Sequence, residues 1–147
     1  MNIHGTNIIF LNAEQEVLLH LRDDIPDIPY PNQWGLPGGH RDAHETPEAC
    51  ILREIQEELG LTLPHVHLFA AAERSYGTEH TYWVRAHFQP EDIQLSEGQA
   101  VQWFPYHEIQ QMELIYEDNR ILDEFFTQRP FEDQTTCSSL LSTEPVP

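Results

Sequence analysis

The chain has 147 residues, 25 of them Asp or Glu and seven of them Arg, with no lysine and a formal charge of −18. That balance argues against nucleic-acid polymers and anionic membranes as partners, since both are engaged by dense basic patches. The length suits one domain with a real core, and a composition 39% hydrophobic and 22% charged is globular rather than disordered.

The opening, MNIHGTNIIFLN, lacks the basic start and small-residue cleavage site of a signal peptide. Asn7–Leu11 and Glu16–Leu21 are short apolar runs separated by four polar-leaning residues, which predicts a hairpin or two neighbouring strands. Residues 22–39 hold four prolines and three glycines and predict a loop. Thr46–Leu59 is the best-marked helix: Thr46 can cap, Pro47 takes the first helical position, and Gly60 follows the last turn. Strands follow at roughly 66–76 and 81–89, the second alternating Tyr82, Val84, Ala86 and Phe88 with more polar neighbours. A further strand is expected at 99–104, then helices at about 105–112 and 118–128. The first 130 residues are expected to form the domain, and residues 131–147 a polar, mobile tail. Cys50 and Cys137 make no disulfide framework, so a soluble cytoplasmic protein is expected. Strands around one early helix, with a helix at the end, predict a layered mixed α/β fold.

On a helical wheel Glu54, Glu57 and Glu58 share one face, while Leu52, Ile55 and Leu59 lie nearly opposite. Three carboxylates on adjacent turns repel, and a hard divalent cation would relieve them. A solvated acidic helix face is the plainer reading of such a stretch taken alone. Just upstream, Leu36-Pro37-Gly38-Gly39 reads as a rigid turn followed by two residues free to adopt positive φ. Glu45 and Arg53 flank the helix and could lock this turn to it through an ion pair.

The segment GHRDAHETPEACILREIQEELGL, Gly39 to Leu61, resembles a complete Nudix box. Every fixed position is filled: Gly39, Glu45, Arg53, Glu54, Ile55, Glu57, Glu58, Gly60 and Leu61. The resemblance implies a Nudix-type α/β/α sandwich with a central mixed sheet. It also implies that Glu54, Glu57 and Glu58, with the Gly38 carbonyl, hold Mg²⁺, for which Mn²⁺ could substitute. One of these glutamates, most often the position of Glu54, serves such enzymes as general base, and Glu45 and Arg53 act as structural braces. The implied activity is hydrolysis of a nucleoside diphosphate linked to another moiety.

Glu97-Gly98-Gln99, with Trp103, is similar to a segment of MutT-type members, which implies Glu97 as an extra metal-side carboxylate. Arg22 stands where many members place a phosphate-binding arginine, although a strand-end arginine is also ordinary surface. Gly38 and Gly39 would approach the substrate. Asn119 resembles the asparagine with which MutT-type proteins read a purine, or is a helix cap. Trp34 and Tyr30 could stack on a base or serve the core. His65 and His67 alternate along a strand and read as strand surface rather than zinc ligands.

The first expectation is a small nucleotide substrate, a nucleoside or deoxynucleoside triphosphate split to monophosphate and pyrophosphate. A nucleotide sugar or ADP-ribose is the alternative, and an inactive Nudix-fold binding protein a third. A homodimer is left open. The box itself carries six acids and two arginines, so most of the −18 lies outside it. Cations must then supply the positive field that lysines would otherwise give.

Overall fold

Strand β1 (Ile3–Leu11) carries four consecutive side chains, Ile8 to Leu11, each 0% exposed. The computed structural model describes residues 3–132 and sets this strand between two helical layers, as a strand apolar on both faces requires. Ile8 and Phe10 pack with Ile51, Ile55 and Leu59 of helix α1 (Pro47–Leu59). Ile9 and Leu11 pack on the other side with Ile121, Leu122 and Phe125 of helix α3 (Asp118–Gln128). The short helix α2 (Tyr106–Ile109) adds Ile109 to that second core.

The seven-stranded sheet is mixed, as expected. Strand β2 (Glu16–Leu21) returns antiparallel to β1 through a turn in which Asn12 Oδ1 accepts the Glu14 and Glu16 N–H groups. The two strands meet at Leu11 and Val17 and then diverge. Residues 34–40 enter the fork. Strand β3 (Trp34–Gly35) pairs with β2, and strand β4 (Gly38–His40) pairs with the first half of β1. Between them the Ile8 N–H donates to the Pro37 carbonyl at 3.0 Å.

The predicted loop over 22–39 therefore stops short, since its last part is strand. Close approach, more than a left-handed turn, accounts for glycine here: a Cβ on Gly38 would fall 2.1 Å from the Thr6 carbonyl oxygen.

Strand β5 (His67–Arg74) turns through Ser75 and Tyr76 into β6 (Gly77–Arg85), which lies parallel to β1. The alternation expected from Thr81 onward does not produce one wet face. Thr81, Tyr82, Trp83 and Val84 are all buried, because β6 sits between β1 and β5 under both helical layers. Strand β7 (Ala100–Pro105) pairs with the outer edge of β2. Phe131, assigned to the tail from sequence, is 0% exposed and packs on Phe125. The domain thus reaches at least that residue; Gln134 onward, with Cys137, lies outside the described residues. Among the described residues no helix is long and apolar enough to cross a membrane.

Candidate active site

Helix α1 begins where the Thr46 hydroxyl accepts the Ala49 N–H at 3.1 Å and ends at Gly60, left-handed at φ 69°. Ile51, Ile55 and Leu59 anchor one side, which turns the glutamates toward the fork between β1 and β2. The three are not equivalent. Glu57 is open to solvent, Glu54 is mostly covered, and Glu58 is 9% exposed. The Glu54 carboxyl lies over Gly39: a Cβ there would come within 2.3 Å of Glu54 Cδ.

Arg53 binds Glu45 through two hydrogen bonds, Nε to Oε2 at 2.6 Å and Nη2 to Oε1 at 2.9 Å. Its Nη1 reaches Glu54 at 3.0 Å and Glu57 at 3.1 Å, and its Nη2 reaches the His40 carbonyl at 3.3 Å. Glu45 also accepts the Asp42 N–H. The guanidinium holds the Glu45 carboxyl down to about 2, and the carboxylates push Arg53 up in turn. Bidentate geometry makes this a directional clamp between the 38–45 segment and α1.

Glu58 shows the opposite effect. Burial, a hydrogen bond with Glu54 and the charges of Glu54 and Glu97 push its carboxyl up to about 9, against a smaller pull from Arg22. At neutral pH it holds a proton that a cation could replace. The donor set of Glu54, Glu57, Glu58, Glu97 and the Gly38 carbonyl is all oxygen and suits a hard divalent ion. Among the described residues no three acidic, His or Cys side chains are already drawn into a ligand group. Arg53 takes one oxygen of Glu54 and one of Glu57, which leaves the second oxygen of each off the guanidinium.

Glu97 arrives on a loop stitched to two elements. Ser96 N–H donates to the Glu58 carbonyl at 2.9 Å, which ties the loop to the end of α1. Gln99 N–H donates to the Leu21 carbonyl, and Gln99 Nε2 donates to that of Arg22, both at 2.8 Å. His20 Nε2 lies 2.7 Å from the Glu97 carbonyl, and Gly98, at φ 87°, leaves the space that the imidazole fills. Arg22 Nε donates to Pro29 O at 2.8 Å.

Arg22, Gly38, Gly39, Glu54, Glu57, Glu58 and Glu97 all line one cavity of about 460 Å³. The same cavity is lined by Asn7, Tyr76, Glu79, Tyr116 and Asp118. Tyr116 makes tilted ring contacts with Tyr30 at 4.7 Å and with Tyr76 at 4.8 Å between centroids. Tyr30 and Tyr116 both hold positive φ, and of the two Tyr116 lines the cavity.

The expected base-reading role of Asn119 meets a correction. Its Oδ1 accepts the Leu114 N–H, and its Nδ2 donates to the Met112 and Ile109 carbonyls. The amide is spent on pinning the turn before α3, and Asn119 does not line the cavity. Its neighbour Asp118 does, 2% exposed, with Oδ2 accepting the Leu36 N–H at 2.9 Å. Trp34 packs against Phe104 and belongs to the core. His67 lies over Trp83, with His65 edge-on to it. Cys50 is buried beside the Thr6 hydroxyl.

Asn7, Tyr76, Glu79, Tyr116 and Asp118 were not singled out from sequence. Asn7 could have been, as a lone polar residue opening an otherwise apolar run.

Burial, then the charge of Glu79, pushes the Asp118 carboxyl up to about 8, against the Leu36 hydrogen bond and Arg74. The folded chain therefore keeps a proton that the unfolded chain sheds near pH 4, and stability falls between about pH 4 and 8. The slope is at most about 1.4 kcal/mol per pH unit. Asp118→Asn removes this loss. Urea midpoints of both proteins across that range should diverge as pH rises, and parallel curves would contradict the assignment.

The chain resembles known proteins at three levels. A family model, NUDIX domain, matches residues 1–125. The 8-oxo-dGTP diphosphatase of Escherichia coli is 32% identical over 98 residues, covering 65% of this chain and 74% of that protein. A putative 8-oxo-dGTP diphosphatase 3 of Mycobacterium tuberculosis is 44% identical over 52 residues, and the match covers 34% of this chain and 24% of that longer protein. In structure, the NUDIX domain of Shewanella oneidensis NrtR, solved with ADP ribose, superimposes with a TM-score of 0.72 at 20% identity. That match covers 87% of this chain and 88% of the other, and shows a shared fold.

Proposed function

The chain belongs to the NUDIX family, and on that footing we propose that it is a Mg²⁺-dependent pyrophosphohydrolase of nucleoside triphosphates, releasing monophosphate and pyrophosphate. One observation carries the reading. Glu58 is buried against Glu54 and Glu97 with Arg22 as the opposing charge, an arrangement that favours a cation in place of its proton. A divalent ion held by these carboxylates and the Gly38 carbonyl would screen the polyphosphate and make a bound water easier to ionise.

The chain's own groups divide the remaining work. Arg22 pairs with a phosphate oxygen. Glu54, poised over Gly39, accepts the proton of the attacking water. Glu97 adds a carboxylate from the opposite wall, and the Glu45–Arg53 clamp keeps α1 and the glycine segment in register. The triphosphate preference follows the Escherichia coli relative, whose name assigns it 8-oxo-dGTP.

A second reading has its own observation. A further hollow of about 310 Å³, lined by His20, Asp23, Ile25 and Ile28, shares Arg22, Gly38, Glu58 and Glu97 with the first. That space would take the second moiety of ADP-ribose or a nucleotide sugar, and the NrtR domain was solved with ADP ribose.

Purified protein tested with nucleoside triphosphates, ADP-ribose and nucleotide sugars, with products identified, separates the two. Activity should rise steeply with free Mg²⁺, since the cavity's own cationic side chain is Arg22. A folded protein that turns over neither group would end the hydrolase reading, and turnover indifferent to Mg²⁺ would end the metal mechanism.

A further inference from the structure

The sheet face turned toward α3 is apolar at its centre and polar toward one end. Ile9 and Leu11 of β1 and Trp83 of β6 are buried there, but the preceding cross-strand pair is Asn7 and Thr81, 5% and 0% exposed. Neither Asn7 Oδ1 nor Thr81 Oγ1 has a hydrogen-bond partner. A buried acceptor left unpaired costs stability, and native structures carry few of them. Leucine at position 7 would simply continue the stripe of Ile9 and Leu11. Asn7 also lines the cavity, together with Glu79 two residues before Thr81 and Asp118 from α3. Close by, the Tyr76 and Tyr116 rings, tilted at 55° to each other, also line the cavity.

We propose that Asn7 is a specificity-determining residue whose side-chain carbonyl accepts an N–H from the edge of a nucleobase in this cavity. The inference rests on the nucleotide reading above for its substrate class and deepens it. The wall is rich in acceptors. Asn7 Oδ1 is unpaired, and the Glu79 carboxylate takes the Tyr76 hydroxyl at 2.7 Å and the Arg74 guanidinium at 3.6 Å, both on Oε1, which leaves Oε2 over. Such a wall ranks bases by the N–H groups on one edge. Guanine, with an imino and an amino group side by side, stands above uracil, which has a single N–H between two carbonyls.

Two measurements test this. In the first, Asn7→Leu and the parent are compared on GTP and UTP. The variant should lose about tenfold in kcat/KM for GTP and little for UTP. Its ligand-free melting temperature should be equal or higher, because an unpaired polar group has been replaced by one that fits the stripe. Equal losses on both nucleotides, no loss on either, or a lower melting temperature would overturn the proposal. The last outcome would point to a structural water joining Asn7 and Thr81.

The second measurement needs neither phosphate nor metal: guanosine and uridine are titrated into the parent while the Asn7 side-chain amide resonances are followed. A shift with guanosine that exceeds the shift with uridine supports the proposal, and equal or absent shifts overturn it. Failure of hydrolysis would sink the enzymatic reading alone, because this second arm does not depend on turnover.

Discussion

Glu58→Gln is expected to lower kcat by at least about a thousandfold while leaving the metal-free protein as stable as the parent, or more so. The two effects have one cause. Burial and the neighbouring Glu54 and Glu97 already keep the Glu58 carboxyl protonated up to about pH 9. A neutral amide of the same shape therefore replaces a neutral acid and gives up nothing in the empty site. What it cannot do is ionise when a cation arrives.

The sign of the pH effect follows from the raised value. The metal-free parent should lose stability, relative to the variant, as pH climbs from about 4.5 to about 9. Added Mg²⁺ should raise the melting temperature of the parent, since a ligand of the folded state stabilises it, and leave the variant nearly unmoved. A variant within tenfold of parental turnover, or one stabilised by Mg²⁺ like the parent, would remove Glu58 from the site.

Gly38→Ala should be the most damaging single methyl group in the domain. Its Cβ would stand 2.1 Å from the Thr6 oxygen and 2.7 Å from Asn7 Cα, both backbone atoms of the central strand. No rotamer change relieves a clash with backbone, so β4 must leave β1, at an expected cost of about 3 kcal/mol or more. Gly39→Ala makes the informative contrast. There the new methyl meets the Glu54 carboxyl, a side chain that can swing away. That variant should unfold near the parental urea midpoint yet lose most of its turnover. Equal midpoints for the two variants would mean that the fork tolerates widening.

The sequence shows the acidic helix well because its signals are local. A cap, a proline, an apolar stripe and a glycine stop all lie within one segment, and so does the Glu45–Arg53 spacing. The base-side wall is built otherwise. Asn7, Glu79 and Asp118 come from three elements, and their meeting depends on a parallel strand pair that no local pattern encodes. Asn119 shows the hazard of reading one position at a time: the adjacent Asp118 faces the cavity while the amide is used in a turn. Residues 34–39 read as loop because glycine and proline usually mark loops. Here Gly38 allows two backbones to touch, and Gly39 makes room for the Glu54 carboxyl.

The fork between β1 and β2 also bears on the order in which the molecule can form. β4 docks on one edge of β1, while the other edge belongs to β6, which is made only after α1 and β5 have left the ribosome. A chain end stopping after α1 would own every residue of the motif and still lack the partner that holds β1 in place. Long-range pairing of this kind is slow to form and is gained late. The cleft beside β1 can therefore be complete only once β6 has been synthesised. During synthesis, the short segment that looks most self-sufficient depends on the half of the chain that follows it.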